Sequence, residues 1–474
     1  SKRLGAGSRR IVGGYHGGRA MSGYQSYTAY ASLWNESLPS HWSVLPMYAL
    51  AKEKSICGCV DLPLLSVYLD VGVIPFSAKA EKRTNVTSKD LSKYQRVDCG
   101  DFVLNNQQAW RGSVGISFDT GIVSPAYIVL SMNDMLNSRY ANYLLRSQIM
   151  VDQYLINSKS VGSIQRNIYW PALKRTSVLV PPRDEQDQIV RFLDWKVSSI
   201  NKLINIKKKE IKAIDALKRS TVSHAITRGL TADAPMKYSG VKWLGDIPQR
   251  WYTVPLYAIA QVKSINNCID LPLMSVYLDA GVVPFVEREE KRTNATSKDL
   301  TNYQRVDPGD FVLNNQQAWR GSVGVSFHSG IVSPAYIVLS LNNTLDSHYA
   351  NYLFRSRCMV DQYLVISRGV GSIQRNLYWS ALKRVVVPIP SKKEQMEIVE
   401  YLDGLNNKFD ATIKKLTEEV AVLEEYKNKI IADTVTGKID VRGIEIPEYE
   451  FVDEDNDNVD ENLEQGADEP PEEE

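Results

Sequence analysis

Four amides, an indole and a guanidinium follow one another closely in Asn105-Asn106-Gln107-Gln108-Ala109-Trp110-Arg111. A carboxamide offers a donor and an acceptor together, which matches the adenine edge, and a guanidinium matches guanine in the same bidentate manner. The set recurs as Asn314, Asn315, Gln316, Gln317, Trp319 and Arg320. The same residues equally suit a polar loop in which the tryptophan caps a core. Lys82-Arg83-Thr84-Asn85, with its counterpart Lys291-Arg292-Thr293-Asn294, suits phosphate oxygens, or else a solvated surface. In Gly162-Ser163-Ile164-Gln165-Arg166-Asn167 a Gly-Ser turn is expected to cap a helix whose amide end holds a phosphate while Gln165 and Arg166 reach a groove. Ser372, Gln374 and Arg375 repeat that arrangement, and its plain alternative is a capped helix supporting Tyr169 and Trp170 in a core.

Catalytic chemistry is poorly represented beside this. There is no GxxxxGK[ST] phosphate loop, no HExxH, and no paired Cys/His spacing for zinc. The expectation is no catalytic residue and no metal site. None of the five histidines, His16, His41, His224, His328 and His348, recurs between the two copies of the repeat described below. Asp61, Asp70 and Asp101 do recur, and turn-forming aspartates explain such a set as well as metal ligands do. The five cysteines form no CxxC pair and are expected to be reduced.

The elements that must position these groups come from a duplication. Asn105 and Asn314 are 209 residues apart, as are Gly162 and Gly371, Trp34 and Trp243, Glu185 and Glu394, and Thr227 and Thr436, so one long unit was copied without gaps. Each copy begins as mixed α/β: short runs such as Asp101–Leu104, Val114–Phe118 and Ala126–Leu130 read as strands, and 138–155 has helical spacing. Each then turns helical after a proline-marked edge, Val180-Pro181-Pro182 or Val387-Pro388-Ile389-Pro390. In the second copy Val399, Leu402, Phe409, Ile413, Leu416, Val420, Leu423 and Ile430 occupy a and d positions of a heptad, with Asn406 and Lys427 in the same seam. Val190, Leu193, Val197, Ile200, Ile204, Ile211 and Ile214 do likewise in the first copy, interrupted by Lys207. Two such helices in one chain can pair, and from about residue 184 to 223 the first would run roughly 60 Å at 1.5 Å per residue.

The boundaries that follow are a disordered or non-native segment 1–33, with Met21 a candidate start, and a first α/β domain 34–182. A long helix 183–230 and a linker 231–242 lead to a second domain 243–391, a second helix 392–438, and a segment 439–474 with an acidic, disordered tail. Residues 448–474 hold fourteen acidic side chains and no Lys or Arg, so the net charge of +1 conceals +15 on residues 1–447. That surplus suits a polyanion, whether DNA, RNA or an acidic membrane surface. No apolar stretch is long enough to span a bilayer, and a cytoplasmic location is the expectation.

Several motifs in this order carry a resemblance. Leu38-Pro-Ser-His-Trp42, Trp243-Leu-Gly-Asp-Ile-Pro-Gln-Arg-Trp251, Pro308-Gly-Asp310, Pro181-Pro-Arg-Asp-Glu-Gln186, Pro390-Ser-Lys-Lys-Glu-Gln395 and Thr434-Val-Thr-Gly-Lys-Ile-Asp-Val-Arg442 together resemble the specificity subunits of type I restriction-modification systems over residues 34–442. The resemblance implies an α+β chain of two tandem-duplicated target-recognition domains joined by two long helices in an antiparallel coiled coil. It implies that this chain binds double-stranded DNA, holds no cofactor, and neither cuts nor methylates. Two adenine methyltransferase subunits would bring S-adenosylmethionine, and two restriction (motor-nuclease) subunits, where present, would use ATP and Mg. Two competing readings stay open on sequence alone: a stand-alone nuclease or methyltransferase with a duplicated recognition module, and a coiled-coil scaffold that leaves DNA unread.

The duplication adds an expectation of its own. Near-identical domains should prefer near-identical half-sites, giving an interrupted inverted repeat. Places where the halves would diverge are Asp119 against His328, Arg139 against His348, and Ala78 to Ala80 against Glu287 to Glu289. Arg228 stands where Gly437 stands in the second copy, so the first helix is expected to end differently. The acidic tail is expected to screen basic surface from nonspecific DNA.

Overall fold

The computed structural model describes residues 23–453 apart from 33–34, 70, 79–89, 162–164, 286–298 and 371–373. The chain packs as two units, residues 1–206 with 419–474, and residues 207–418.

In the first unit an antiparallel sheet forms from β1 (Ala51–Lys54), β2 (Phe102–Asn105), β3 (Val114–Ile116) and β4 (Tyr127–Met132), in the order β1-β4-β2-β3. Phe102, Val103 and Leu104 are all buried because both faces of the sheet are covered, which is why this strand reads as a continuous apolar run. Phe102 and Leu104 face α1 (Ser138–Arg146) and α2 (Gln148–Ile156) through Tyr140, Leu144 and Met150, while Val103 and Val129 meet Leu65, Val67, Val73 and Val123. Asn105 is the first polar residue of the strand and marks where it leaves the core. Strand Ser43–Pro46 pairs with Ser177–Val180, bringing the start and end of the domain together before the long helix departs.

A strand at Tyr27–Ser32, paired with Asn35–Pro39, falls within the segment 1–33 expected to be disordered. Tyr24, buried in the core, extends the folded region further toward the N-terminus. The corresponding correction in the second copy concerns the stretch taken as a linker. Met236–Tyr238 pairs there with Asp246–Pro248 as a hairpin. A short strand of six residues or fewer, flanked by Gly and Ser, has too few alternations to show a period in sequence.

Two further hairpin strands follow α2: β5 (Ser158–Val161) and β6 (Gln165–Ile168). This overturns the helix expected at Gly162–Asn167. Ser158–Val161 and Gln165–Ile168 pair antiparallel, and the nearest helix is a single turn at Trp170–Leu173. The first long helix, α3 (Arg183–Arg228), then begins.

The second unit repeats this plan with β7 (Ala260–Val262), β8 (Asp310–Asn314), β9 (Val323–Val325) and β10 (Tyr336–Leu341) in the order β7-β10-β8-β9. Next come α4 (Ser347–Arg355), α5 (Arg357–Ile366), β11 (Arg368–Val370), β12 (Gln374–Asn376) and the second long helix α6 (Lys392–Val435).

Both units contain parts of α3 and α6. In the first, Val190, Leu193, Ile200 and Ile204, early in α3, share a core with Val420, Ile430 and Val435, late in α6. In the second, Ala225 and Ile226, late in α3, share a core with Ile398 and Leu402, early in α6. Early against late in both units means the helices run antiparallel, as a coiled coil with its heptad seam turned inward. The polar seam residues are partnered: Lys427 donates to Asn201 at 3.3 Å in the first unit, and Asn406 donates to the Tyr352 hydroxyl at 2.9 Å in the second. The helix ends differ as the Arg228/Gly437 exchange predicts. Gly229 takes the left-handed turn after α3 (φ 75°), one residue later in the repeat than Gly437 after α6 (φ 74°).

The C-terminal segment is also folded as far as it is described. Gln188 of α3 donates to the carbonyls of Val441 and Ile444, and Asn201 and Asn205 donate to those of Val452 and Asp453. The first residues of the acidic stretch, 448–453, are thus fixed along α3 in place of the disorder expected there.

Candidate nucleic-acid interface

Where β2 ends, the Asn105 side chain accepts the Gln107 amide at 3.2 Å, closing a tight turn, and Ala109–Arg111 follow as one turn of 3₁₀ helix. Ala109 is fully buried against the core and anchors that turn. Gly112 follows at φ 104°, left-handed backbone that a residue with a Cβ adopts only with strain. Ser113 fastens the exit by donating to the Val67 carbonyl at 3.1 Å. The Trp110 ring N–H donates back to the Gln107 carbonyl at 3.0 Å, and the Arg111 guanidinium lies 5.3 Å from that ring's centroid. So the loop is a hydrogen-bonded turn carrying an arginine on an aromatic platform.

The second copy reproduces this closely. Asn314 accepts from Gln316 at 3.1 Å, Trp319 donates to the Gln316 carbonyl at 2.9 Å, Arg320 lies 4.8 Å from its ring, and Gly321 has φ 109°. Gln107 and Arg111 are exposed and Gln108 half-buried; Gln316, Gln317 and Arg320 are half-buried.

Asn106 does something sequence reading missed. Its side-chain oxygen accepts the Ile168 amide at 2.9 Å and so clasps the β5–β6 hairpin to the loop; Asn315 does the same with Leu377 at 2.9 Å. Two motifs 62 residues apart therefore form one surface. Their repetition at a common offset was the only signal in the sequence, and it did not show that they touch. Arg166, expected to reach outward, turns its Nε to the Ser158 hydroxyl at 2.9 Å across the hairpin; Arg375 does so with Ser367 at 2.9 Å. Tyr169, expected in the core on one reading, is exposed, and the Lys159 ammonium sits 3.6 Å above its ring. Lys82, Arg83, Lys291, Arg292, Ser163 and Ser372 lie outside the described residues, and Gln165 and Gln374 are placed only as the first residues of β6 and β12.

The recurring aspartates have a different fate from the loop. Asp101, buried, binds the Lys54 ammonium at 2.5 Å, which also meets Asp98 at 2.6 Å; Lys263, Asp310 and Asp307 repeat this at 2.5 and 2.6 Å. Burial pulls the Lys54 ammonium down, but the two carboxylates outweigh it and hold it above its ordinary value. The lysine contact lowers Asp98 below the usual carboxylate range. A carboxylate neutralised by lysine is a poor metal ligand, and among the described residues no three His, Cys, Asp or Glu gather as one. All five cysteines are free thiols. Among the described residues no helix is long and apolar enough to cross a membrane.

Comparison with known proteins bears on both copies. The model of the type I restriction modification DNA specificity domain matches residues 59–214 and again 248–422. The type I restriction enzyme MjaVIII specificity subunit of Methanocaldococcus jannaschii is 23% identical over 438 residues, 86% of this chain and 95% of that protein. Among solved structures, a chain from work on complex assembly and conformational transition of the type I R-M system superimposes at TM-score 0.59 and 16% identity, covering 85% of this chain and 99% of that one.

Proposed function

Because the chain belongs to the type I restriction-modification DNA specificity family, we propose that each of its two clasped surfaces, loop Asn105–Arg111 with hairpin β5–β6 and loop Asn314–Arg320 with β11–β12, reads one half of a bipartite DNA site. The observation that carries this is the arginine held over a tryptophan on a hydrogen-bonded turn, built the same way twice. A side chain whose position is fixed before binding loses little freedom on contact, which favours base discrimination over a loose charge. The surplus of positive charge on residues 1–447 supplies the sequence-independent part of the affinity.

The chain itself acts as a recognition subunit without chemistry. Adenine methyltransferase subunits provide S-adenosylmethionine and flip the target base, and restriction subunits provide ATP-driven cleavage with Mg. Duplicated surfaces select near-identical half-sites in inverted orientation. Lys82, Arg83, Lys291 and Arg292 contribute phosphate contacts, and the tail beyond residue 453 lowers nonspecific affinity.

The test is co-expression with an adenine methyltransferase subunit and mapping of modified adenines by long-read sequencing. Methylation at an interrupted inverted repeat, lost in the Arg111→Ala, Arg320→Ala double variant while the complex still forms, is the expected result. A formed complex that leaves no methylation defeats the proposal.

A further inference from the structure

The two copies are so alike that most of their recognition surfaces cannot distinguish one half-site from the other. Of the differences singled out in the sequence, Glu287 to Glu289 and most of Ala78 to Ala80 lie outside the described residues, and the other two lie away from the loop. Ser117 donates to the Asp101 carbonyl at 2.8 Å, which puts the turn containing Asp119 at the end of the β2–β3 pair remote from the Asn105 loop. Arg139 follows Ser138, whose hydroxyl lies 3.7 Å from where a Cβ on Gly100 would stand, at that same remote end. Arg139 is bound there to Asp194 at 3.0 Å, and its counterpart His348 stacks on Phe327 with ring centroids 4.6 Å apart.

A different exchange lies at the loop end. Lys159 pairs with Asn167 in the β5–β6 register, one step from Ile168, the residue clasped by Asn106. Its counterpart Arg368 pairs with Asn376 beside Leu377, clasped by Asn315. Both cations are exposed, as are Tyr169 and Tyr378, and Lys159 lies over the Tyr169 ring. The neighbouring exchange of Ser160 for Gly369 does not reshape the hairpin, since a Cβ on Gly369 would meet open space.

We infer that Lys159 and Arg368 are the specificity-determining pair by which the two recognition surfaces tell their half-sites apart. The inference rests on the reading of these surfaces as DNA-binding. Lysine brings a compact charge, seated over the Tyr169 ring, that contacts a phosphate or a single acceptor. Arginine brings a planar fork that fits O6 and N7 of guanine together. The second half-site therefore requires guanine at one position where the first is permissive.

The experiment selects from a random-sequence DNA duplex library with the full chain bound to its methyltransferase subunits. Wild type is expected to enrich an interrupted motif whose halves differ at one base pair, with guanine favoured there about fivefold or more in the second half only. Lys159→Arg should make both halves require guanine, and Arg368→Lys should make both permissive. Each swap installs the residue the other copy already carries, so folding is preserved. Halves already identical in wild type, or a motif unchanged by both swaps, overturn the inference while leaving the DNA-reading function standing. A wild-type complex that enriches no motif overturns that function, and the inference with it.

Discussion

The Asn105 loop and the foot of the first long helix both recur in the second copy, yet only the loop is rebuilt the same way. Around the loop each hydrogen bond named above repeats to within a few tenths of an ångström. At the helix foot, buried Glu185 accepts from the Tyr24 hydroxyl, from His41 Nε2 at 2.7 Å and from the Trp42 ring N–H at 3.1 Å. Burial, with the carboxylate beside it, pushes the Tyr24 hydroxyl up, so it remains a donor. Its equivalent Glu394 meets the largely exposed Arg250 at 3.1 Å, and the buried Trp251 ring N–H has no protein acceptor among the described residues. The reason lies in what covers each foot. In the first unit Tyr24 and the segment after α6 close over it, with Arg442 stacked 4.9 Å from the Tyr24 ring. In the second unit the segment after α3 instead leads into that unit's own hairpin, Met236–Tyr238 with Asp246–Pro248. Duplicated sequence yields duplicated structure where contacts are local to the repeat, and diverges where the repeat's ends supply them.

The largest effect that would sharpen this comparison comes from the lysine clusters, which belong wholly to the repeated part. Lys54→Met leaves buried Asp101 without its cation and should cost about 3 kcal/mol, with Lys263→Met equal to it within about 0.5 kcal/mol. Hydrogen-exchange protection measured in each domain separately reads both, and a clear inequality would break the equivalence. Next comes the foot, where inequality is expected. Glu185→Ala strands three donors and should destabilise its unit by about 2–3 kcal/mol, whereas Glu394→Ala, losing one exposed arginine, should cost about 1 kcal/mol. Equal losses by domain-resolved exchange would refute the account of the covering segment.

A smaller and again matched effect is predicted for Gly112→Ala and Gly321→Ala, about 1–2 kcal/mol each from left-handed backbone. DNA binding should weaken in step, because the displaced turn carries Arg111 or Arg320. Retained affinity in filter binding would show that the turn need not be rigid. The smallest effect is in pH. Asp98 is lowered when folded, so its contribution is present above the ordinary carboxylate value and fades as pH falls through its folded value, below about 4. Since Asp98 is more than a third exposed, solvent screening keeps this contribution small. The stability gap between wild type and Lys54→Met should accordingly narrow on acidification below about pH 4, and a gap unchanged at pH 3 would contradict the ion-pair account.

Sequence alone was enough for the features that rest on local pattern. The apolar run ending at Asn105 placed a strand and the exit of its loop, because a strand buried on both faces has no polar positions until it leaves the core. The heptads at Val190 to Ile204 and Val399 to Ile430 placed the two long helices, and the constant offset placed two copies of one surface. Turning Gly162–Asn167 into a helix was a wrong reading of a Gly-Ser turn, whose preference suits hairpins and helix starts equally. Tertiary structure alone decided that Asn106 clasps the hairpin to the loop, that Arg166 folds back on Ser158, and that Asp101 serves Lys54. Each of these joins residues brought together by folding, in the widest case 62 positions apart. A polar side chain's type limits what it can bind, but which partner lies within 3 Å depends on how the whole chain packs, and no local period records that.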